Sequence, residues 1–164
     1  RTMIVNFILN GEDVSLRARS GDRLIDILRD SFGLHAAKAD CRKGSCGKCL
    51  VVMDGRLVPA CMVLAFKVRG REVITIEGFV QTDEYKDVAE GIREVGLETC
   101  GFCDAGVILA IASAIEGQTR PDRTEIIDAL SSVQCRCTDP ETTLRAALAA
   151  ADAKDRRLYA RDRK

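Results

Sequence analysis

Tryptophan is absent from this chain of 164 residues, histidine occurs once, proline occurs three times and aromatic residues make up only 4%. Net charge is absent as well, because 25 basic side chains are matched by 25 acidic ones. That balance gives no electrostatic case for a nucleic-acid partner or an anionic membrane surface. No apolar run approaches the length of a membrane span, and no signal peptide is visible. The numbering opens Arg1-Thr2-Met3, so either Met3 is the natural start or a leader has been removed. Internal repeats and low-complexity segments are also missing. No base, nucleophile or substrate pocket can be named, so substrate chemistry is not expected on this chain.

What the chain does have is cysteine. Its eight cysteines fall into two groups of four with none left over: Cys41, Cys46, Cys49, Cys61, and Cys100, Cys103, Cys135, Cys137. Such accounting favours metal ligation over incidental buried thiols, and it points to a reducing compartment. The cytoplasm is the expected location; a removed leader would make it the periplasm. In the first group four residues separate Cys41 from Cys46, two separate Cys46 from Cys49, and Cys61 is remote. That is the C-x4-C-x2-C spacing, followed by a distant cysteine, of a plant-type 2Fe–2S site. Gly44 and Gly47 can take backbone angles closed to other residues, which lets the loop turn N–H groups toward sulfur. Arg42, Lys43 and Lys48 either offset the negative charge of such a cluster or are simply solvated. A four-cysteine zinc site and a disulfide framework are the competing readings. His35, the lone histidine, lies just before the loop, but four cysteines already satisfy the site.

The elements around that loop predict a small mixed sheet. Met3 to Leu9 and Val14 to Ala18 flank Asn10-Gly11, a strong hairpin signal. A helix is expected from Arg23 to Phe32, capped by Asp22 and stopped by Gly33. Further strands are expected at Cys49–Met53, at Leu57-Val58 and at Glu72–Ile76. After Gly78 the periodicity turns helical. Helices are predicted over Asp83–Leu97, Cys103–Ile115, Thr124–Leu130 (capped by Asp122) and Pro140 to about Ala151, with a break over Gln118–Asp122. The charged segment Lys154–Lys164 reads as a frayed, solvated tail, or else as a contact for a partner subunit. The resulting organisation is α+β: a β-grasp, ferredoxin-like domain over residues 1–78, a four-helix domain over 79–153 and a tail over 154–164.

The second group, Cys100-Gly-Phe-Cys103 and Cys135-Arg-Cys137, places one pair at a helix start, where free N–H groups favour thiolates. Two helical hairpins meeting end to end would gather the four sulfurs. Spacing alone leaves iron–sulfur and zinc both open.

The combination C-R-K-G-S-C-G-K-C, then C-G-F-C-D-A-G, then C-R-C-T resembles the small iron–sulfur subunit of the molybdenum hydroxylases, the xanthine dehydrogenase, aldehyde oxidoreductase and aerobic carbon monoxide dehydrogenase family. The resemblance spans roughly residues 3 to 150 and uses every cysteine. It implies one 2Fe–2S cluster on Cys41, Cys46, Cys49 and Cys61, and a second on Cys100, Cys103, Cys135 and Cys137. It also implies a molybdopterin-binding large subunit beside the second cluster and an FAD-binding medium subunit toward the first. Cys137, and less directly Thr99, would lie near the pterin. Four places depart from the family pattern: Thr99 replaces Gln, Asp104-Ala105 replaces Thr-Pro, Ser132-Val133-Gln134 replaces Gly-Asn-Leu, and Asp139-Pro140 replaces Gly-Tyr. All cluster around the second site while every cysteine is kept. A free ferredoxin-like carrier and a zinc-stabilised adaptor without a redox role are the alternative functions.

Overall fold

The computed structural model describes residues 2–117 and 121–161. The chain begins with β1 (Thr2–Leu9) and β2 (Glu12–Arg19), paired antiparallel from Thr2↔Arg19 to Leu9↔Glu12. Asn10 (φ 51°) and Gly11 (φ 85°) make the turn, as the Asn-Gly signal requires. Along β1, Val5, Phe7 and Leu9 are buried while Ile4 and Ile8 face outward, so the period of two sets the core face. With β3 (Leu50–Met53), β4 (Arg56–Pro59) and β5 (Glu72–Ile74), these strands form one sheet in the order β2-β1-β5-β3-β4. The β1/β5 pair is parallel and the other pairs are antiparallel.

Helix α1 (Leu24–Asp26), continued by a π turn over Ile27–Ser31, buries Leu24, Ile25, Ile27 and Leu28 in the core of this sheet. This is the expected β-grasp layout, with two corrections. Asp22 does not cap the helix; its carboxylate accepts the Arg19 N–H at 2.8 Å and closes the end of β2 instead. The strand expected to reach Ile76 stops at Ile74. Thr75, fully buried, donates its N–H to Asn10 Oδ1 at 2.8 Å and accepts from Asn10 Nδ2 at 3.0 Å, which draws the chain off the sheet. A short α3 (Ile76–Phe79) follows, and α2 (Ala65–Val68) lies between β4 and β5.

Four longer helices form the second half. Helix α4 (Asp83–Val95) starts at Thr82, whose hydroxyl accepts the Tyr85 N–H at 3.2 Å. Helix α5 (Asp104–Ile115) is buried on almost every side, and α6 (Arg123–Leu130) opens on a capping box between Asp122 and Glu125. The break expected over Gln118–Asp122 lies mostly outside the described residues.

Helix α7 runs from Pro140 to Arg161, well past the expected end at Ala151. The tail reading of residues 154–164 is therefore wrong as far as Arg161, and residues 162–164 lie outside the described residues. Lys154 donates to the Ile115 carbonyl at 2.6 Å, Arg156 reaches Glu90 at 2.8 Å, and Arg157 grips Asp87. Two of the charges that look solvated in sequence, Arg156 and Arg157, are matched to acidic positions on α4. Upstream, Ala146 and Ala150 of α7 pack directly on Gly91 of α4, whose missing side chain allows the close approach. An apolar cluster joins the halves: Ile76, Phe79, Ala105 and Leu109, backed by Val52, Leu57 and Ile74.

Candidate metal centres

The loop between Gly33 and β3 holds the first three cysteines, and Cys61 follows β4 in a short 3-10 turn. Cys46, Cys49 and Cys61 are buried, whereas Cys41 is partly exposed. Cys41 lies in side-chain hydrogen-bonding contact with Cys46, and Cys49 with Cys61. Gly44 and Gly47 take φ of +76° and +70°, the freedom the loop needs. The Lys43 N–H donates to Cys41 Sγ at 3.5 Å.

That N–H, with the side chains of Ser45 and Cys46, lowers the Cys41 thiol to about 5, while burial pushes Cys49 up to about 12. Because the Cys41 value lies below that of an ordinary thiol, its thiolate persists down to about pH 5; Cys49 stays protonated through neutrality. Brief treatment of the cluster-free chain with iodoacetamide at mildly acidic pH is expected to label Cys41 well before Cys49. Mass spectrometry finding Cys49 labelled as fast as Cys41 would contradict that order.

In the second set, Cys103 ends the loop before α5 and is buried, which raises its thiol to about 11. Cys135 Sγ lies 3.3 Å from Cys137 Sγ, and the Cys100 N–H donates to Cys137 Sγ at 3.5 Å. Cys103 is in turn in side-chain hydrogen-bonding contact with Cys135. Burial, the largest influence on Cys135, raises its thiol, but bonds from Thr138 and Cys137 outweigh it and bring the value to about 7. All eight cysteines are free thiols, which removes the disulfide framework.

Both sets therefore offer four soft sulfur donors with N–H groups pointing at them. Among the described residues, no group of three or more His, Cys, Asp or Glu side chains converges as a single ion would require.

The two sets are neighbours. Cys41 and Cys46 line the same cavity of about 670 Å³ as Cys100, Cys103, Cys135 and Cys137. The Gln134 N–H, one residue before Cys135, donates to the Cys46 carbonyl at 2.9 Å. At Gly47 the first loop meets the backbone of α5 at Gly106 and that of Ser132, just before the second cysteine pair. Of the other sequence candidates, Arg42 is engaged with Asp26 through both terminal nitrogens, at 3.1 and 2.8 Å. His35 is exposed, and its carbonyl accepts from Arg29 and Lys38. Thr99 is exposed and lines a different cavity, with Arg93 and Asp104, although its neighbour Cys100 touches Cys137. Sequence reasoning missed Asp40 and Phe102, which also line the shared cavity; the place of Phe102 inside Cys100–Cys103 was the available signal.

Comparison with known proteins agrees with this geometry. Residues 7–72 match the 2Fe–2S iron–sulfur cluster binding domain family, and residues 75–148 match a second 2Fe–2S binding domain family. The chain is 35% identical over 134 residues to the nicotinate dehydrogenase small FeS subunit of Eubacterium barkeri, covering 82% of this chain and 85% of that one. It belongs to the iron–sulfur subunits of the molybdenum hydroxylase family. Within that family, the xanthine dehydrogenase iron–sulfur-binding subunit of Escherichia coli O157:H7 is 33% identical over 139 residues, covering 84% of this chain and 87% of that one. Among solved structures, quinoline 2-oxidoreductase from Pseudomonas putida 86 superposes with a TM-score of 0.82 at 31% identity, covering 94% of this chain and 97% of that one. These relatives are subunits of larger dehydrogenases, so family membership implies partner chains.

Proposed function

We propose that this chain is the electron-transfer subunit of a molybdenum-dependent hydroxylase or dehydrogenase, taking electrons from a molybdopterin-binding large subunit and delivering them to an FAD-binding medium subunit or another acceptor. The observation that carries the reading is the gathering of the eight cysteines into two four-thiol sets, six of whose members line one cavity. Cys41, Cys46, Cys49 and Cys61 hold one 2Fe–2S cluster in a ferredoxin-like domain over residues 1–78. Cys100, Cys103, Cys135 and Cys137 hold the other in a helical domain that starts at residue 79 and extends to the end of α7. The clusters supply one-electron chemistry; the protein's part is to ligate them, donate N–H groups to their sulfurs and limit their contact with water.

Cys137 and Thr99 form the face toward the pterin. Both are exposed, and the Cys100 N–H links them by its bond to Cys137 Sγ. Among the described residues no helix is long and apolar enough to cross a membrane, and a cytoplasmic site fits the reduced thiols. Purification of the native complex tests the reading. The expected product is a brown assembly in which this chain carries about four irons and four inorganic sulfides beside a molybdopterin-binding subunit. Zinc without sulfide would reduce the chain to an adaptor, and a partner-free chain competent as a diffusible carrier would make it a free ferredoxin.

A further inference from the structure

The cavity shared by the two cysteine sets contains one cation that is not free in solvent. Lys48 lies between Gly47 and Cys49, and its side chain is only 19% exposed. It is held in three ways. Its ammonium forms a short ion pair with Asp40, and it stands 5.4 Å from the centre of the Phe102 ring, between Cys100 and Cys103. Its carbonyl accepts the Lys38 N–H at 2.8 Å, which brings a second ammonium to the same ring at 5.8 Å. Lys48 thus lines one cavity together with Cys46 of the first set and Cys103 of the second. The other cations on the cavity wall, Lys43 and Arg136, are exposed, so water and salt screen them far more.

We propose that Lys48 is a shared positioning charge that raises the reduction potentials of both iron–sulfur sites together. The inference rests on the two-cluster reading. Each site accepts one electron, with no proton and no leaving group, and so gains one negative charge. A fixed cation beside the site favours the more negative form, and partial burial strengthens the effect. Because one ammonium serves both sets, it lifts both potentials and leaves the step between them little changed. Asp40 limits that lift by offsetting part of the ammonium's charge.

The test is a redox titration of the cluster-loaded protein in its complex, followed by EPR, in which the two sites give separate signals. Lys48→Met is expected to lower both midpoints, each by about tenfold in the reduction equilibrium, or roughly 59 mV for one electron. Lys48→Arg should restore both, and Asp40→Asn should raise both. Lys86→Met, at an exposed position of α4 and paired with Asp83, should move neither. Two intact signals with unmoved midpoints in Lys48→Met, or a shift of only one, would overturn the proposal while leaving the two-cluster reading in place. A wild-type protein lacking two such signals would instead sink that reading. If Lys48→Met fails to load, Lys48→Gln decides: a fall in both midpoints supports the shared charge, and a fall in neither or in only one overturns it.

Discussion

Arg157→Ala is expected to destabilise the helical half by about 3–5 kcal/mol, the cost of leaving one member of a buried ion pair without its partner. Asp87 on α4 is only 4% exposed. Its two oxygens receive Arg157 Nε at 3.0 and 3.1 Å and Nη2 at 2.7 Å. With the guanidinium gone, the carboxylate keeps its desolvation cost and loses its partner. Arg156→Ala gives the contrast, since that pair with Glu90 is 57% and 45% exposed and should be worth about 0–1 kcal/mol. Ending the chain after Ala153 removes both arginines and the Lys154 bond to Ile115, and it should cost at least as much as Arg157→Ala. Chemical denaturation checks all three. An unchanged midpoint for the truncated chain would mean that the last turns of α7 contribute nothing to the fold.

The same helix shows what a sequence conceals. Local signals are readable where the cause is local: Asn10-Gly11 turns the first hairpin and Asp122 caps α6. Misreadings arise where the deciding partner is far along the chain. Lys154 to Arg161 looks like solvated charge until Asp87 and Glu90, some 70 and 66 residues earlier, are laid against it. Ile76 continues an apolar strand until Asn10, bonded to Thr75 across 65 residues, turns the backbone away. Asp22 has the right chemistry for a cap but is claimed by Arg19. Lys48 follows the same rule. Its neighbours in sequence reveal nothing of Phe102 or Cys103, so its place between the two centres emerges only in the fold.

Gly106→Ala should disturb both iron–sulfur sites although residue 106 ligates neither. In an ordinary helix interior this change stabilises by about 1 kcal/mol. Here the new methyl would stand 2.4 Å from the Gly47 carbonyl oxygen, a contact that only backbone movement can relieve. Overpacking of this kind costs about 1–3 kcal/mol, sometimes more, so the steric term wins over the propensity gain. Gly47→Ala is harsher, because its methyl would meet the Ser132 carbonyl at 2.0 Å and its φ of +70° is itself unfavourable for alanine. Parting these backbones pulls on the bond from the Gln134 N–H to the Cys46 carbonyl, and with it on one cysteine of each set. Both EPR signals should therefore broaden or fall together in either variant. Gly21→Ala, with nothing within 4 Å and no positive φ, should leave stability within about 0.5 kcal/mol and both signals unchanged. A Gly106→Ala protein with wild-type stability and two unaltered signals would show that the loops separate without cost, and the backbone contact would then be packing without consequence for either centre.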